Sequence, residues 1–323
     1  MTDAFEATLV GANGCPPIIG VSDALRRAVH LAQRFAQTDL PILILGPTGT
    51  GKELLAQHIH HWSGRRGSLV DVNCAGLPRD LVDGWLFGHR KNAFTGAGEA
   101  AVGLVEAAAC GTLFLDEICS LPWEAQAKLL RVLETKEVRR VMEVGKRPVS
   151  FGVVAAAQDD LETAIRRGAF RRDLYQRLAG AILRLPPLKE RPQDILPLAA
   201  HYAGLVGRRL DTGSTEVLQR YLWPGNVREL GATVRRATLL DDGPLITAAA
   251  LAESIALGAL TPAGDHRAAR SRWDDERIRA ETIAALEAAR WVTGKAARKL
   301  GIHRTTLFRR ARRLGIPMPE KRT

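Results

Sequence analysis

Eight consecutive residues, Gly46-Pro47-Thr48-Gly49-Thr50-Gly51-Lys52-Glu53, have the composition and spacing of a phosphate-binding turn. Glycines at three positions let the backbone aim its N–H groups at phosphate oxygens, and a following helix adds the positive end of its dipole. Lys52 puts a charge near the β and γ phosphates of a nucleotide. The run matches the first seven positions of G-x-x-x-x-G-K-[ST]. Glu53 stands where a hydroxyl normally helps hold Mg²⁺, so a metal here must lean on other groups. Downstream, Leu113-Phe114-Leu115-Asp116-Glu117 reads as an apolar strand ending in an acidic pair. Asp116 can hold Mg²⁺ through water, and Glu117 can polarise an attacking water. An acidic pair at the end of a buried strand has little structural reason to exist without a cation. The two motifs together point to a bound nucleotide with Mg²⁺.

These residues need a strand before the turn, a helix after it, and a second strand beside the first. The sequence supplies them. LPILILG (40–46) is a short apolar run ending in glycine, which reads as a buried parallel strand. SLVDVNC (68–74), GTLFLDE (111–117) and VSFGVVAAA (149–157) read as three more, and 52–62 as a helix. An amphipathic helix is expected from Ile18 to Gln37, with Ser22 as N-cap, after a loosely ordered lead over residues 1–17. Alternating strands and helices define an α/β, doubly wound parallel sheet. From about residue 188 the pattern turns helical. Residues 258–272 have the Gly, Pro and polar character of a linker, and three helices are expected beyond them.

LFGHRKNAFTGAGEAAVGLVEAAACGTLFLDE (86–117) resembles the bacterial enhancer-binding proteins, the AAA+ activators of sigma-54 RNA polymerase. Their surface loop reads GAFTGA; this chain reads Asn92-Ala93-Phe94-Thr95-Gly96-Ala97. FRRDLYQRL (170–178), LPPLKERPQDI (185–195) and WPGNVREL (223–230) extend the resemblance over roughly residues 18 to 315. It implies an AAA+ α/β ATPase subdomain at 18–187 and a helical lid at 188–257. It implies that Phe94 and Thr95 sit at the tip of a loop touching sigma-54. Asn73 matches the asparagine that couples Glu117 to nucleotide state, Arg171 and Arg177 the arginines offered to a neighbour's ATP, and Arg228 the sensor arginine of the lid. By type alone, Arg171 and Arg177 read as surface arginines in a helix. An arginine supplied in trans implies a ring, expected to be a homo-hexamer; a dimer and the ring itself stand as alternatives for the resting form.

The chain departs from the family at Asn92, Pro47, Trp85 and Ala157-Gln158. If the first loop position needs a positive φ, asparagine is among the better substitutes for glycine. Reduced rather than abolished loop function is expected.

Residues 273–323 are expected to form a small all-α helix-turn-helix domain of the Fis type. Thr293 can cap one helix, Gly301 makes the turn, and His303 opens the next. Arg304, Thr305 and Thr306 then fall where a recognition helix meets bases, and Arg309, Arg310 and Arg313 where it meets phosphates. Charge agrees. Net charge is +11, and residues 264–323 carry 16 Lys+Arg against 7 Asp+Glu, leaving the rest of the chain nearly neutral. A basic end of this kind fits a polyanion partner, and the resemblance implies double-stranded DNA at an upstream activating sequence.

Hydrophobic residues at 46 % and charged residues at 25 % exclude a disordered or fibrous chain. No apolar run approaches the ~20 residues needed to span a bilayer, and MTDAFEATLV lacks the pattern of a secretory signal. Cys15, Cys74, Cys110 and Cys119 are too scattered for a disulfide framework, so a cytoplasmic protein with no membrane partner is expected. Some seventeen residues before the AAA+ homology leave no room for a receiver domain. A two-component-like regulator without a receiver, controlled by a protein acting in trans, is the corresponding expectation. The reading is therefore a sigma-54-dependent activator. The alternative is a DNA-binding regulator whose ATPase is uncoupled from sigma-54.

Overall fold

The computed structural model describes residues 8–12, 15–93, 99–158 and 160–258, with isolated positions between 282 and 293. The chain enters on an antiparallel ribbon, β1 (Thr8–Ala12) against β2 (Cys15–Ile19). This corrects the loosely ordered lead and the helix start at Ile18. Ile18 and Ile19 are buried in two different clusters, and the Pro16 carbonyl is bonded by His58 Nε2 at 2.8 Å. Those partners lie far along the chain, where local periodicity does not reach. The helix begins later, as α1 (Asp23–Ala36), with Ser22 as N-cap accepting from the Leu25 N–H at 3.4 Å.

Five parallel strands then form the central sheet. They are β3 (Ile42–Leu45), β4 (Leu69–Asn73), β5 (Thr112–Asp116), β8 (Gly152–Ala157) and β9 (Ala181–Arg184), in the order β4-β5-β8-β3-β9. The first four match the expected strands within a few residues. The edge strand β9 was not anticipated, because Ala181 and Leu183 alone alternate with exposed Ile182 and Arg184. In β3, Ile42 and Ile44 face one side and Leu43 and Leu45 the other. Both faces are covered, as parallel sheets require. Helices α1 and α2 (Lys52–Trp62) cover one face. α3 (Val82–Phe87), α4 (Leu104–Ala107), α5 (Trp123–Thr135), α6 (Leu161–Arg166) and α7 (Arg172–Leu178) contribute to the cluster on the other. A short hairpin, β6 (Glu137–Val138) with β7 (Arg147–Pro148), leaves the end of α5.

A helical subdomain follows. It holds α8 (Ile195–Gly204), α9 (Ser214–Arg220), α10 (Asn226–Ala237) and α11 (Ala248–Gly258). Two short strands, β10 (Arg209–Leu210) and β11 (Leu245–Ile246), pair in parallel within it, so it is not purely helical as expected. Its core includes Leu198, Leu218, Trp223, Leu230, Val234 and Leu251. The chain divides into two compact units, Met1–Gly258 and Ala259–Thr323. Among the described residues no helix is long and apolar enough to cross a membrane.

One buried cluster joins the helical subdomain to the N-terminal segment. Asp194, wholly buried, accepts from the Val21 and Ser22 N–H groups at 2.6 and 2.7 Å and from Ser22 Oγ at 2.7 Å. Arg191, also buried, lies 3.8 Å from Asp194 and donates to the Thr50 carbonyl at 2.9 Å. Asp194→Ala would strand the buried Ser22 N–H, the half-buried Val21 N–H and a buried guanidinium. The expected cost is about 3–5 kcal/mol. Thermal unfolding should show a midpoint roughly 6–15 °C lower; an unchanged midpoint would mean that the cluster does not carry the junction.

Candidate nucleotide site

The turn between β3 and α2 is shaped by two left-handed glycines, Gly49 at φ +79° and Gly51 at φ +105°. A side chain at Gly49 would run into the Gly225 carbonyl, while Gly51 faces open space. The turn therefore needs glycine at Gly49 for conformation and for close approach. Lys52, mostly buried, donates through Nζ to the Gly46 and Pro47 carbonyls at 2.7 and 3.0 Å, and Thr50 Oγ1 donates to Pro47 O at 2.8 Å. α2 starts at Lys52, so its N-terminal N–H groups open toward the turn.

The adjoining strand ends complete a cleft of about 420 Å³. It is lined by Thr48, Gly49, Gly51, Lys52 and Glu53 from the turn, Asn73 from β4, Asp116 and Glu117 from β5, Ala157 and Gln158 from β8, and Arg228 from α10. Asn73 and Asp116 are register partners on neighbouring strands. Asn73 Oδ1 accepts from the Ala75 N–H at 2.9 Å, capping a single 3-10 turn, and makes no hydrogen bond to Glu117. Glu117 takes a left-handed conformation, φ +51°, and its N–H donates to Asp116 Oδ1 at 2.9 Å. A non-glycine residue held there costs conformational energy, and such residues concentrate at functional sites.

A nucleotide and its metal fit this donor set. Asp71 has its carboxyl raised above the usual range by burial and by the carboxylates of Glu53 and Asp116 nearby. Among the described residues no three His, Cys, Asp or Glu side chains converge as a closed metal cage. Mg²⁺ keeps several waters and takes few protein carboxylates plus phosphates, and Asp116 beside the turn is one such carboxylate. Cys74, next to Asn73, is pushed up to about 12 and Cys119 to about 11, chiefly by burial, so neither thiol is a nucleophile near neutral pH.

A second, more apolar chamber of about 240 Å³ shares Pro16, Gly51, Leu54, Tyr202 and Val227 with the first and adds Ile18, Ile19 and Leu198. Its dimensions and lining suit a nucleotide base. Sequence reasoning missed it, because its walls come from β2 and α8, which no local motif connects to the turn. Asn226 was also missed. This buried residue, at φ +53°, donates to the Thr48 carbonyl at 2.9 Å and accepts from the Leu188 N–H at 2.7 Å.

Arg171 and Arg177 do not line the cleft. Arg171 is bound to Asp173 at 2.9 Å and lies over the Trp123 ring; Arg177 donates to the Leu133 carbonyl at 3.1 Å. Of the loop motif, Asn92 and Ala93 are described. Asn92 has φ +62°, the left-handed conformation in which asparagine substitutes for glycine. Phe94, Thr95, Gly96 and Ala97 lie outside the described residues, as do Arg304, Thr305, Thr306, Arg309, Arg310 and Arg313. The base of the loop is fastened to the β6–β7 hairpin. The Arg90 N–H donates to Val141 O at 3.2 Å, Val141 N–H to Gly88 O at 2.8 Å, and Arg140 forms a bidentate pair with Glu106 at 2.8 and 2.9 Å.

Comparison with known proteins agrees with this arrangement. Residues 18–184 match the sigma-54 interaction domain, 189–270 the AAA+ ATPase lid domain, and 282–314 the bacterial regulatory proteins of the Fis family. The DNA-binding transcriptional regulator NtrC of Rhizobium meliloti is 39 % identical, over 93 % of this chain and 70 % of its own length. The nitric oxide reductase transcription regulator NorR1 of Cupriavidus necator is 41 % identical, over 92 % and 63 %. The Nif-specific regulatory protein of Klebsiella pneumoniae is 39 % identical, over 95 % and 60 %. This chain thus spans about three-fifths to seven-tenths of the length of these relatives. Among solved structures, NtrX from Brucella abortus in complex with ATP is 32 % identical with a TM-score of 0.69, covering 92 % of this chain and 69 % of that one. On the match over more than half its length and on these relatives, the chain belongs to the bacterial enhancer-binding proteins, the AAA+ family defined by the sigma-54 interaction domain.

Proposed function

We propose that the protein is a sigma-54-dependent transcriptional activator that hydrolyses ATP between subunits of a ring and uses the nucleotide-driven movement of loop 92–97 to remodel the closed promoter complex. The observation that supports this best is the single cleft that gathers Gly49, Gly51, Lys52, Asn73, Asp116, Glu117 and Arg228, while Arg171 and Arg177 stay outside it. The α/β part at 18–187 and the lid at 188–257 form the ATPase, and 273–323 the DNA-binding domain.

In this reading the phosphates of ATP lie along Gly46–Lys52 and the α2 N-terminus, with the base in the chamber beside Ile18, Tyr202 and Val227. Asp116 would hold Mg²⁺ through water, and Mg²⁺ would neutralise charge on the phosphates. Glu117 orients the attacking water and takes up its proton, giving ADP and phosphate. Asn73 reports nucleotide state to Glu117. Arg171 and Arg177 stabilise transition-state charge at the neighbouring protomer's site, which makes a ring, a homo-hexamer, the working form. Arg304, Thr305 and Thr306 read an upstream activating sequence, and Arg309, Arg310 and Arg313 bind phosphates. Asn92 to Ala97 contact sigma-54.

The test is open-complex formation on a supercoiled sigma-54 promoter with purified protein, sigma-54 holoenzyme and ATP. ATP-dependent opening is expected, and Glu117→Ala should abolish it while hydrolysis falls about 10²- to 10⁴-fold and nucleotide binding persists. ATPase and DNA binding without opening would overturn the reading in favour of a regulator uncoupled from sigma-54. The loop geometry adds a second expectation. Asn92→Gly should open promoters at least as well as the parent per ATP hydrolysed, whereas Asn92→Val, whose β-branched side chain resists positive φ, should lose opening. Equal activity of all three proteins would mean that this backbone conformation does not matter to the loop.

A further inference from the structure

Arg171 precedes α7 and is held mainly by α5. Its backbone N–H donates to Gln126 Oε1 at 2.9 Å, and Gln126, fully buried, fixes itself by donating to the Leu121 and Ala169 carbonyls at 2.8 and 3.1 Å. The guanidinium carbon lies 5.0 Å from the centroid of the Trp123 ring. Its Nε and Nη2 bond the Asp173 carboxylate at 3.1 and 2.9 Å. Trp123 opens α5 and is 44 % exposed, a large aromatic left at the surface with a cation on its face. The cation thus lies over the ring face, and the Asp173 carboxylate takes the Nε–Nη2 edge of the guanidinium. Nη1 makes no hydrogen bond among the described residues, so its edge remains for an outside acceptor.

A bare surface arginine must surrender much rotamer freedom when it engages a phosphate. A flat ring beneath a flat cation removes that freedom beforehand without consuming its N–H groups. A leucine in place of Trp123 would offer bulk but no negative ring face. We propose that Trp123 is a positioning residue, whose ring holds the Arg171 guanidinium extended so that a second copy of this chain meets an ordered cation at its nucleotide. This rests on reading Arg171 as an arginine supplied in trans. Only the 3-10 turn Ile118–Ser120 and residues 121–122 separate α5, which anchors Arg171, from Glu117 in the protomer's own nucleotide cleft.

The experiment has three arms, all on the full chain. In the first, Lys52→Ala and Arg171→Ala proteins are mixed. Each alone should be inactive, and the mixture should regain ATPase because intact P-loops meet intact arginines. No activity in the mixture overturns the trans reading and this proposal with it. In the second, ATPase is measured at assembling concentrations for Trp123→Leu and Trp123→Phe. The leucine variant should lose about two- to fivefold in kcat, the range of a half-exposed cation–π contact, with KM for ATP within twofold. The phenylalanine variant should recover most of it. Unchanged kcat in Trp123→Leu, a loss confined to KM, or equal losses in both variants while the mixture is active overturns the positioning role alone. The third arm holds even if the leucine variant folds poorly. In 5-fluorotryptophan-labelled protein, the ¹⁹F resonance of Trp123, assigned by its absence from Trp123→Phe, should shift in Arg171→Ala. A resonance that does not move would show that the ring does not carry the cation.

Discussion

The phosphate-binding turn does not stand alone; the lid sits on it. The Val227 and Arg228 N–H groups at the start of α10 both donate to the Gly49 carbonyl, at 2.9 and 3.3 Å. Asn226 donates to the Thr48 carbonyl, and Arg191 to that of Thr50. Three consecutive carbonyls of the turn are thereby bonded to residues of the 188–257 segment. Gly49 must be glycine for this to happen, since any Cβ there would strike Gly225. The turn cannot adjust to a phosphate without the lid feeling it, and the lid cannot tilt without pulling on the turn. The same contacts that seat the lid on the turn place Arg228 at the cleft.

The other end of the machinery depends on a second set of ties. Asp116 ends β5, and α5 leaves the same strand end. α5 carries Trp123 and Gln126, which hold Arg171, and its Leu133 carbonyl receives Arg177. The chain that leaves α5 becomes the hairpin stapled to the base of the 92–97 loop through Val141 and the Arg140–Glu106 pair, whose side chains are only 14 % and 13 % exposed. Cleft, arginines and loop base are thus joined through one helix and the hairpin that follows it.

How much of this was legible in the sequence depended on the range of the interactions. The turn, the strands β3, β4, β5 and β8, the Ser22 cap and the helix from Lys52 were legible, because glycine spacing, short apolar runs and capping are local signals. The positive φ of Asn92 meets the condition set by the resemblance, in which glycine opens the loop motif and asparagine is among its better substitutes. The edge strand β9, the apolar chamber and the Asp194 cluster were not legible, because their partners lie far along the chain. Nor was the ribbon β1–β2, although its pairing is local, Thr8 with Ile19 and Ala12 with Cys15. Asp194 bonds residues 21 and 22, and Asn226 bonds residue 48, contacts that periodicity cannot reveal. Glu117 is a mixed case: the acidic pair was plain, but its left-handed backbone follows from the packing of the turn after β5.

The most direct test of the lid-to-turn constraint is amide hydrogen exchange of residues 46–53 and 226–230, with and without ATP, on the full chain and on Asn226→Ala. In the parent protein, ATP should slow exchange in both segments together. Asn226→Ala should speed exchange in both without nucleotide and uncouple their responses to it. Protection of 46–53 by ATP while 226–230 exchanges as fast as in the nucleotide-free protein would contradict the claim that the lid is seated on the phosphate-binding turn.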